Sequence, residues 1–411
     1  PADVIVFRDG DYAVAKNGRT GETIAKSTNH ASVIHEAFNY CPNTVYGGCV
    51  NKVALFGEFS LTDTLKTPDN TVLIVDGNYA LLEAEFTDKP ILDMRNSGTT
   101  RSAWTKYFIR NLRVLYKNQA DQKAIMIGDG PTISSVILEN VQVINGYGVE
   151  RETNPSVPPS GSVGIYINLY ANDMLYLKNV KIVGFDVGLE GNPASHLYLD
   201  NIDLMYTNSY GLKLIDATFL RSEKIHLYRV GGIGIYIHDT SLKYFWGGSN
   251  FKVLRNIIFE GTRPSGFTDN EAIIKLETTT VRIENLAVHS TSYDEIDAYS
   301  VTPVVKAGAS AWIHEAVGGI FGIQTLRATV DISTTGIKTV SLSFPLQYHS
   351  WLTGYRLKVI PVAVSAPDDV DFTMWVSNIT NTECEIKVNV KTASTTQSTM
   401  TIDIIVIPST I

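Results

Sequence analysis

Paired acidic side chains recur at matched positions in this sequence, and paired carboxylates are what glycoside hydrolysis requires. Asp216 follows Gly211 by five residues, and Asp239 follows Gly234 by five. A glycosidase places two carboxyl groups across the scissile bond, about 5 Å apart when it retains the anomeric configuration and roughly 6.5–9.5 Å apart when it inverts it. We therefore predict Asp216 and Asp239 as a catalytic acid and base or nucleophile, provided that the fold stacks them.

Two further polar pairs share this matched spacing. Asp200 and Glu223 each lie one residue before a repeated position, and we predict them as a second catalytic pair. Asp203 and His226 each lie two residues after that position and are predicted to contact substrate. The plainer alternative for every pair is a charged, solvated face of the protein.

A third set of residues is suited to binding sugars. Tyr166, Glu190, Lys213 and Tyr236 follow successive glycines and are predicted to form one outward column, with His238 nearby. An aromatic face covers the C–H groups of a sugar ring while polar neighbours bond its hydroxyls. We predict this column as a substrate-binding surface, with His238 either in it or bonding a corner of the backbone.

These residues must be positioned by a repeat. A segment of the form apolar-x-Asn-apolar-x-apolar occurs six times, and a seventh copy has Lys224 in place of the asparagine. The asparagines are Asn111, Asn140, Asn179, Asn201, Asn256 and Asn285. Short strands that recur in this way along the chain predict a parallel β-solenoid. A leucine-rich repeat is the alternative, and the lack of helix-forming segments between the strands disfavours it.

The recurring asparagine has a physical reason in such a solenoid. Strands of successive coils stack about 4.8 Å apart, so equivalent side chains form rows. An asparagine at a tight corner tolerates unusual backbone angles, and its amide can bond the asparagine one coil away. Apolar neighbours such as Leu177, Val180 and Ile182 should point inward. We expect an outward bulge where Lys224 interrupts the row.

The ends of the chain follow other patterns. Residues 1–50 predict a three-stranded meander, with turns at Asp9-Gly10 and Asn17-Gly18, and then an amphipathic helix over 29–39 that covers the open end of the solenoid. The solenoid is predicted over 51–322. Residues 323–411 contain about six alternating strands and predict an antiparallel β-sandwich.

The helix segment Ala31–Asn39, the strand Val53–Leu61 and the asparagine row together resemble the pectate-lyase superfamily of right-handed parallel β-helices. The segments Val4–Gly10 and Ala15–Gly21 are similar to the entry segments of β-helix proteins from archaea and their viruses. The resemblance implies an all-β fold with a right-handed, single-stranded parallel β-helix. It also implies a glycan partner and a location outside the cell, on the cell surface or on a virion, as in phage tailspikes.

The segment from Phe372 to Thr382 is similar to small trimeric lectins of the H type. This second resemblance implies that the sandwich trimerises or binds carbohydrate. A homotrimer is the expectation, and a monomer with a simple binding domain is the alternative.

The composition excludes several other classes. A net charge of −8 argues against a nucleic-acid partner, and no apolar run reaches the length of about 18 residues needed to span a bilayer. Cys41 and Cys49 either form a small disulfide ring, which would favour an extracellular setting, or stay free. No cofactor and no metal are predicted; Ca²⁺ stays open as an alternative, although the chain lacks a compact Asp-x-Asp-x-Asp loop for it.

The sequence leaves two main functions open, beside a purely structural role in a cell-surface layer. One is a polysaccharide-cleaving enzyme. Asn201-Ile-Asp203 fits one polygalacturonase signature, but the other polygalacturonase motifs and those of pectate lyases are incomplete, so both hydrolysis and β-elimination stay open. The alternative is a non-enzymatic adhesin or a virion fibre that binds glycan.

Overall fold

The computed structural model describes residues 2–45, 48–95, 105–117, 120–128, 135–146, 156–169, 174–193, 196–240, 251–261, 263–269, 272–277, 281–289, 305–307, 311–317, 324–343, 355–379 and 383–410. The chain divides into two compact units. The first contains Pro1–Lys275 and Val288–Val305, and the second contains Leu276–Ala287 and Lys306–Ile411.

The described residues are almost entirely strands. In chain order the elements are β1 (Val4–Asp9), β2 (Tyr12–Asn17), β3 (Thr23–Ser27), α1 (His30–Asn39), β4 (Asn43–Val45), β5 (Gly48–Phe56), β6 (Glu58–Leu61), β7 (Leu65–Lys66), β8 (Thr71–Ala84), β9 (Leu92–Met94), β10 (Lys106–Tyr116), β11 (Lys123–Gly128), β12 (Ser135–Asn145), β13 (Val163–Leu169), β14 (Met174–Val183), β15 (Val187–Pro193), β16 (His196–Met205), β17 (Tyr210–Ile215), β18 (Phe219–Ser222), β19 (Ile225–Tyr228), β20 (Ile233–His238), β21 (Phe251–Glu260), β22 (Ala272–Glu277), β23 (Val281–His289), β24 (Val305–Ala307), β25 (Ala311–Val317), β26 (Gln324–Asp331), β27 (Gly336–Ser343), β28 (Tyr355–Ser365), β29 (Asp371–Ile379), β30 (Glu383–Thr392) and β31 (Thr399–Thr410).

The first unit opens with the meander and the helix that the sequence predicts. Strands β1, β2 and β3 pair antiparallel, and β1 then pairs parallel with β5. Helix α1 begins where the Asn29 side chain accepts a hydrogen bond from the Ser32 amide at 3.1 Å. Its buried face includes Ala31, Ile34 and Phe38, which follow the spacing of an amphipathic helix.

Two long parallel sheets make up the rest of this unit. Sheet A runs through β5, β8, β10, β12, β14, β16, β18 and β21, with β19 beside β16 and β21. Sheet B runs through β7, β9, β11, β13, β15, β17 and β20. From β10 to β17 the chain alternates between the two sheets, so each coil adds one strand to each. This arrangement is consistent with a parallel β-helix, and no helix lies between these strands in the described ranges.

The predicted asparagine row is present in sheet A. Five of its members have a left-handed backbone, with φ values of 54°, 55°, 51°, 54° and 49°, and these are Asn111, Asn140, Asn179, Asn201 and Asn256. The amide of Asn140 donates to Asn111 Oδ1 at 2.9 Å, that of Asn179 to Asn140 at 2.9 Å, and that of Asn201 to Asn179 at 3.0 Å. Asn111 in turn donates to Asp76 Oδ1 at 3.0 Å, which terminates the row. A non-glycine residue rarely adopts this backbone, and asparagine is among the most tolerant.

The row is interrupted at Lys224, as predicted. Where the neighbouring coils have one continuous strand, this coil has two, β18 and β19, with Glu223 and Lys224 between them. Lysine has no carboxamide to accept the next bond, and Asn256 donates instead to the Glu223 carbonyl at 2.7 Å. The last predicted member, Asn285, lies in β23 with its side chain outside the described residues.

The core of the first unit consists of apolar rows that stack from coil to coil. Leu177, Val180 and Ile182 are buried, as predicted, and they pair in register with Leu199, Ile202 and Leu204 of the next coil. Burial of each such side chain contributes about 1.5–3 kcal/mol relative to exposure. Register and burial therefore reinforce one another along the axis.

The second unit contains the alternating strands predicted after residue 322. Strands β26, β31 and β28 form one antiparallel sheet, and β27, β30 and β29 form another. Buried residues from both sheets belong to a single apolar cluster, among them Val330, Ile386, Val388 and Ile402. Cys384 is buried in the same cluster as a free thiol.

Cys41 and Cys49 form a disulfide, with their Cα atoms 5.5 Å apart. This settles the alternative that the sequence left open. The bond closes a short loop in which β4 pairs antiparallel with β5.

In the described part of the chain, none of the helical structure has the length and apolar character needed to cross a bilayer.

The asparagine row predicts a specific mutational pattern at Asn179. Asn179→Ala should lower the free energy of unfolding by about 2–4 kcal/mol, because it combines a left-handed alanine with the loss of two amide hydrogen bonds. Asn179→Gly should have a clearly smaller effect, because glycine adopts this backbone without strain. Urea unfolding followed by circular dichroism measures both, with Asn39→Ala at the end of α1 as control. Equal effects of the alanine and glycine variants would exclude the backbone contribution.

Candidate functional site

The structure stacks Asp216 and Asp239 one coil apart, as the spacing predicts. Ile215 pairs with His238 in the register of β17 and β20, and the Asp216 amide donates to the His238 carbonyl at 2.8 Å. Asp216 has a left-handed backbone, φ 55°, and its carboxylate accepts hydrogen bonds from the amide and hydroxyl of Thr240 at 2.8 and 2.9 Å. It therefore stabilises a corner between coils.

The environment of Asp239 differs from that of an acid in an open cleft. Its side chain is 2% exposed and forms an ion pair of 2.8 Å with Lys252 Nζ, which is 1% exposed. A buried charge needs such a partner, because an isolated carboxylate in the interior is strongly unfavourable. Neither group reaches the surface. His238 beside it is partly buried, with its ring stacked 6.3 Å from the Tyr236 ring.

Asp200 and Glu223 also occupy matched positions, on the outer face before the asparagine corner. Both carboxylates are bound by neighbouring side chains, either arginines or a tyrosine hydroxyl. Glu223 accepts from Arg221 at 2.7 Å and from Arg255 at 3.2 Å. Asp200 accepts a hydrogen bond from the Tyr176 hydroxyl at 3.1 Å. Burial, and then the neighbouring Asp200 carboxylate, raise the pKa of Tyr176. Each acid of this pair is thus held by a donor.

The third predicted pair, Asp203 and His226, is brought into direct contact. His226 Nδ1 lies 3.2 Å from Asp203 Oδ1, and Nε2 lies 3.1 Å from Glu260 Oε2. The hydrogen bond with Asp203 raises the pKa of His226, and Glu260 adds to this against the opposing effect of burial. Sequence reasoning missed Glu260, which lies three residues after Ile257, the register partner of Ile225.

A groove adjoins this cluster on the outer face after the asparagine corner. Its volume is about 320 Å³. One row along it consists of Arg113, Gln142 and Lys181 in register on successive coils, and Asp203 and His226 continue the same row. The remaining lining is apolar or amide, namely Leu81, Leu115, Ile144, Asn145, Gly146, Val183, Met205 and Tyr206.

The predicted tyrosine column exists as an outer row of sheet B. Tyr166, Glu190, Lys213 and Tyr236 are consecutive register partners. Lys213 Nζ lies 2.6 Å from Glu190 Oε1, and Lys123 Nζ lies 4.5 Å from the centre of the Tyr166 ring. The column is therefore bound together internally by an ion pair and a cation–π contact.

A second aromatic cluster, the aromatic strip, was not found from the sequence. It comprises His196, Tyr198, Tyr176 and Phe219 on three successive coils of sheet A. Ring centres are 6.1 Å apart for Tyr176 and Tyr198, 5.5 Å for Tyr198 and Phe219, and 4.9 Å for His196 and Phe219. Tyr176 and Tyr198 each lie three residues before the ladder asparagine, so an alignment of the repeat copies would have revealed the row.

Within the described residues, no group of three or more His, Cys, Asp or Glu side chains is arranged to hold a metal ion.

The His226 cluster predicts a pH-dependent stability. A histidine whose folded pKa is raised stabilises the fold fully at pH below its unfolded value near 6.5, and this contribution disappears as the pH rises through the folded value. The difference in unfolding free energy between wild type and His226→Gln should reach up to about 1 kcal/mol at pH 5.5 and shrink by pH 8.5. Urea unfolding at both pH values measures it, and His196→Gln, which has no carboxylate partner in the described structure, is the control. A difference that grows with pH would contradict the assignment.

Comparisons with known proteins give little beyond this geometry. No protein-family model matches the chain, and no curated protein matches it. Among solved structures, the tailspike of Pseudomonas phage phi297 matches at 8% identity and a TM-score of 0.26, over 87% of this chain and 66% of that chain. The tailspike of E. coli bacteriophage HK620, in complex with a pentasaccharide, matches at 10% identity and a TM-score of 0.28, over 92% and 90%. At such identities and TM-scores these likenesses carry no weight for function.

Proposed function

We propose that this chain is a glycan-binding β-helix protein, displayed outside the cell as an adhesin or as a virion fibre or spike. The observation that supports the proposal most directly is the aromatic strip. Its rings lie on the outer face of three successive coils, with His196 exposed and Tyr176, Tyr198 and Phe219 half-buried. Soluble proteins bury most aromatic surface, so a contiguous outward row favours a binding role.

The chemistry around the strip suits a sugar chain. Aromatic faces pack against the C–H groups of pyranose rings, while nearby polar groups bond the hydroxyls. Asp200, held by the Tyr176 hydroxyl, and Arg221, in register with Tyr198, supply such groups beside the rings. Met174, 40% exposed, is the register partner of His196 and extends the apolar surface by one coil.

The setting outside the cell is supported by the disulfide. Disulfides persist in oxidising compartments and are rare in the cytosol. The Cys41–Cys49 bond therefore fits the extracellular, cell-surface or virion location that the resemblance implies.

The end segments take supporting roles in this proposal. His30 Nδ1 accepts from the Ser60 amide at 3.0 Å, and His35 Nε2 accepts from the Lys66 amide at 2.8 Å. Helix α1 thus satisfies backbone donors of the first coil, as a cap of a right-handed, single-stranded β-helix would. Burial lowers the pKa of His35, which keeps its acceptor form. The two sheets of the second unit are proposed as a sandwich that trimerises or binds carbohydrate.

The binding proposal predicts the effect of truncating the strip. Tyr198→Ala and Phe219→Ala should each weaken glycan binding by about tenfold, because each removes one stacking surface. A glycan array identifies the ligand and titration calorimetry measures the dissociation constant. Tyr12→Ala, which truncates a tyrosine 45% exposed in the meander, is the matched control. Unchanged affinity in both strip variants would show that the aromatic strip is not the glycan-binding face.

A second candidate function is cleavage of the bound polysaccharide by hydrolysis or β-elimination. Its specific support is the placement of two carboxylates, Asp203 and Glu260, on opposite sides of His226 next to the groove. In hydrolysis the protonated member gives its proton to the glycosidic oxygen, and a carboxylate takes the proton of the attacking water. Asp216 with Asp239, and Asp200 with Glu223, are the sequence-based alternatives, and Asp239 is the least suited because it is buried.

Cleavage would be recognised by release of reducing ends from a panel of neutral and uronic polysaccharides. Glu260→Gln and Asp203→Asn should each reduce this release by roughly a hundredfold or more, while Glu139→Gln, on the other side of the corner, leaves it unchanged. Loss of activity in Asp216→Asn instead would move the site to sheet B. Product absorbance in the ultraviolet separates elimination from hydrolysis, and no product from any polysaccharide removes the enzymatic candidate.

A further inference from the structure

We infer that the groove after the asparagine corner binds an acidic sugar residue, with the sugar carboxylate held by Arg113, Gln142 and Lys181. This inference rests on the proposed glycan-binding function and specifies the class of glycan. It concerns a different face from the aromatic strip, because the two sets of residues lie on opposite sides of the ladder asparagines.

The three polar residues are fixed relative to one another by strand register. Arg113 pairs with Gln142 in β10 and β12, and Gln142 pairs with Lys181 in β12 and β14. Their Cα atoms therefore span two strand spacings, about 10 Å, with the amide in the middle. All three side chains line the groove.

The two cations differ from their neighbours in lacking an acidic partner. Arg110 is paired with Asp76 at 2.8 Å, and Lys178 with Glu139 at 2.9 Å. For Arg113 and Lys181, in contrast, the described residues provide neither an ion pair nor a hydrogen bond. Two cations that line one groove, without an ion pair in the part of the chain that the structure describes, create a positive potential that favours an anionic ligand.

The rest of the groove matches the body of a sugar rather than a free anion. Leu115, Ile144 and Val183 form an apolar row in register beside the polar one. Such a floor covers ring C–H groups, while an arginine guanidinium bonds a carboxylate through two parallel N–H donors. A small inorganic anion would use the cations but leave this floor uncovered.

The next coil limits where the acidic sugar can bind. Lys181 pairs in register with Asp203, which is followed by His226 with its second partner Glu260. The row therefore changes from cationic to acidic along the axis. A sugar carboxylate is attracted to the Arg113 end and repelled from the Asp203 end, which favours one position of the acidic sugar along the groove.

The test compares acidic oligosaccharides with neutral counterparts of the same skeleton. Sialyllactose is compared with lactose, and oligogalacturonides with their carboxyl-reduced forms, together with a sulfated oligosaccharide and an array to extend the panel. The variants are Arg113→Gln and Lys181→Gln. Lys178→Gln is the matched control, since it removes a lysine from the same strand on the other side of the corner. Binding is measured by calorimetry at two salt concentrations.

The expected result is that wild type binds the carboxylated ligand more tightly than its neutral counterpart. Each groove variant should weaken binding of the carboxylated ligand about tenfold or more. Binding of neutral ligands should not change in the groove variants, and Lys178→Gln should bind the carboxylated ligand as wild type does. Wild type that binds only neutral or only sulfated glycans overturns the inference and leaves the proposed function standing. So does carboxylate binding that the groove variants do not change. Wild type that binds no glycan of the array overturns both.

Discussion

The asparagine corner is the constraint on which the structure of the first unit depends. At this position the backbone is left-handed, so each sheet A segment bends there and presents two outward faces instead of one. Within the uninterrupted part of the row, an asparagine side chain accepts from one neighbouring coil and donates to the other, as Asn179 does with Asn201 and Asn140. Because the bond can form only in one register, the corner fixes which residues share a row on both faces. The aromatic strip and the groove are consequences of that single register.

Charge pairing along the rows explains why acidic residues at equivalent repeat positions are bound to neighbouring groups. Like charges on adjacent strands repel, because they lie only one strand spacing apart. A stable row therefore alternates in the sign of its charges, or its like charges are bound by oppositely charged or hydrogen-bonding groups from outside the row. Arg110, Glu139, Lys178 and Asp200 alternate in sign along one row. Where two acids do stack, at Asp200 and Glu223, arginines and a tyrosine hydroxyl compensate them. The acidic pairs therefore reflect row electrostatics as well as any chemistry.

The sequence was sufficient to predict which residues share a row, but not which residues from other parts of the chain contact them. The spacing of the asparagines predicted the parallel strands, the inward apolar positions and the break at Lys224, because these follow from the repeat itself. The burial of Asp239 could not be predicted, since its partner Lys252 is separated from it by residues outside the repeat. Glu260 was missed because its coil is 34 residues from His226 in sequence. The aromatic strip was not predicted, although Tyr176 and Tyr198 hold equivalent repeat positions.

A ligand surface made from one residue per coil has a particular energetic character. Each coil contributes a modest contact, a stacking ring or a single cation, and affinity accumulates along the axis only if the ligand has its own regular repeat. A polysaccharide meets this requirement and a small metabolite does not. Such a surface is also sensitive to register, because a shift of one coil would place the acidic sugar of the groove opposite Asp203 in place of Lys181. The ladder that stabilises the fold therefore also determines the specificity of the surface, and the two properties cannot vary independently at the asparagine positions.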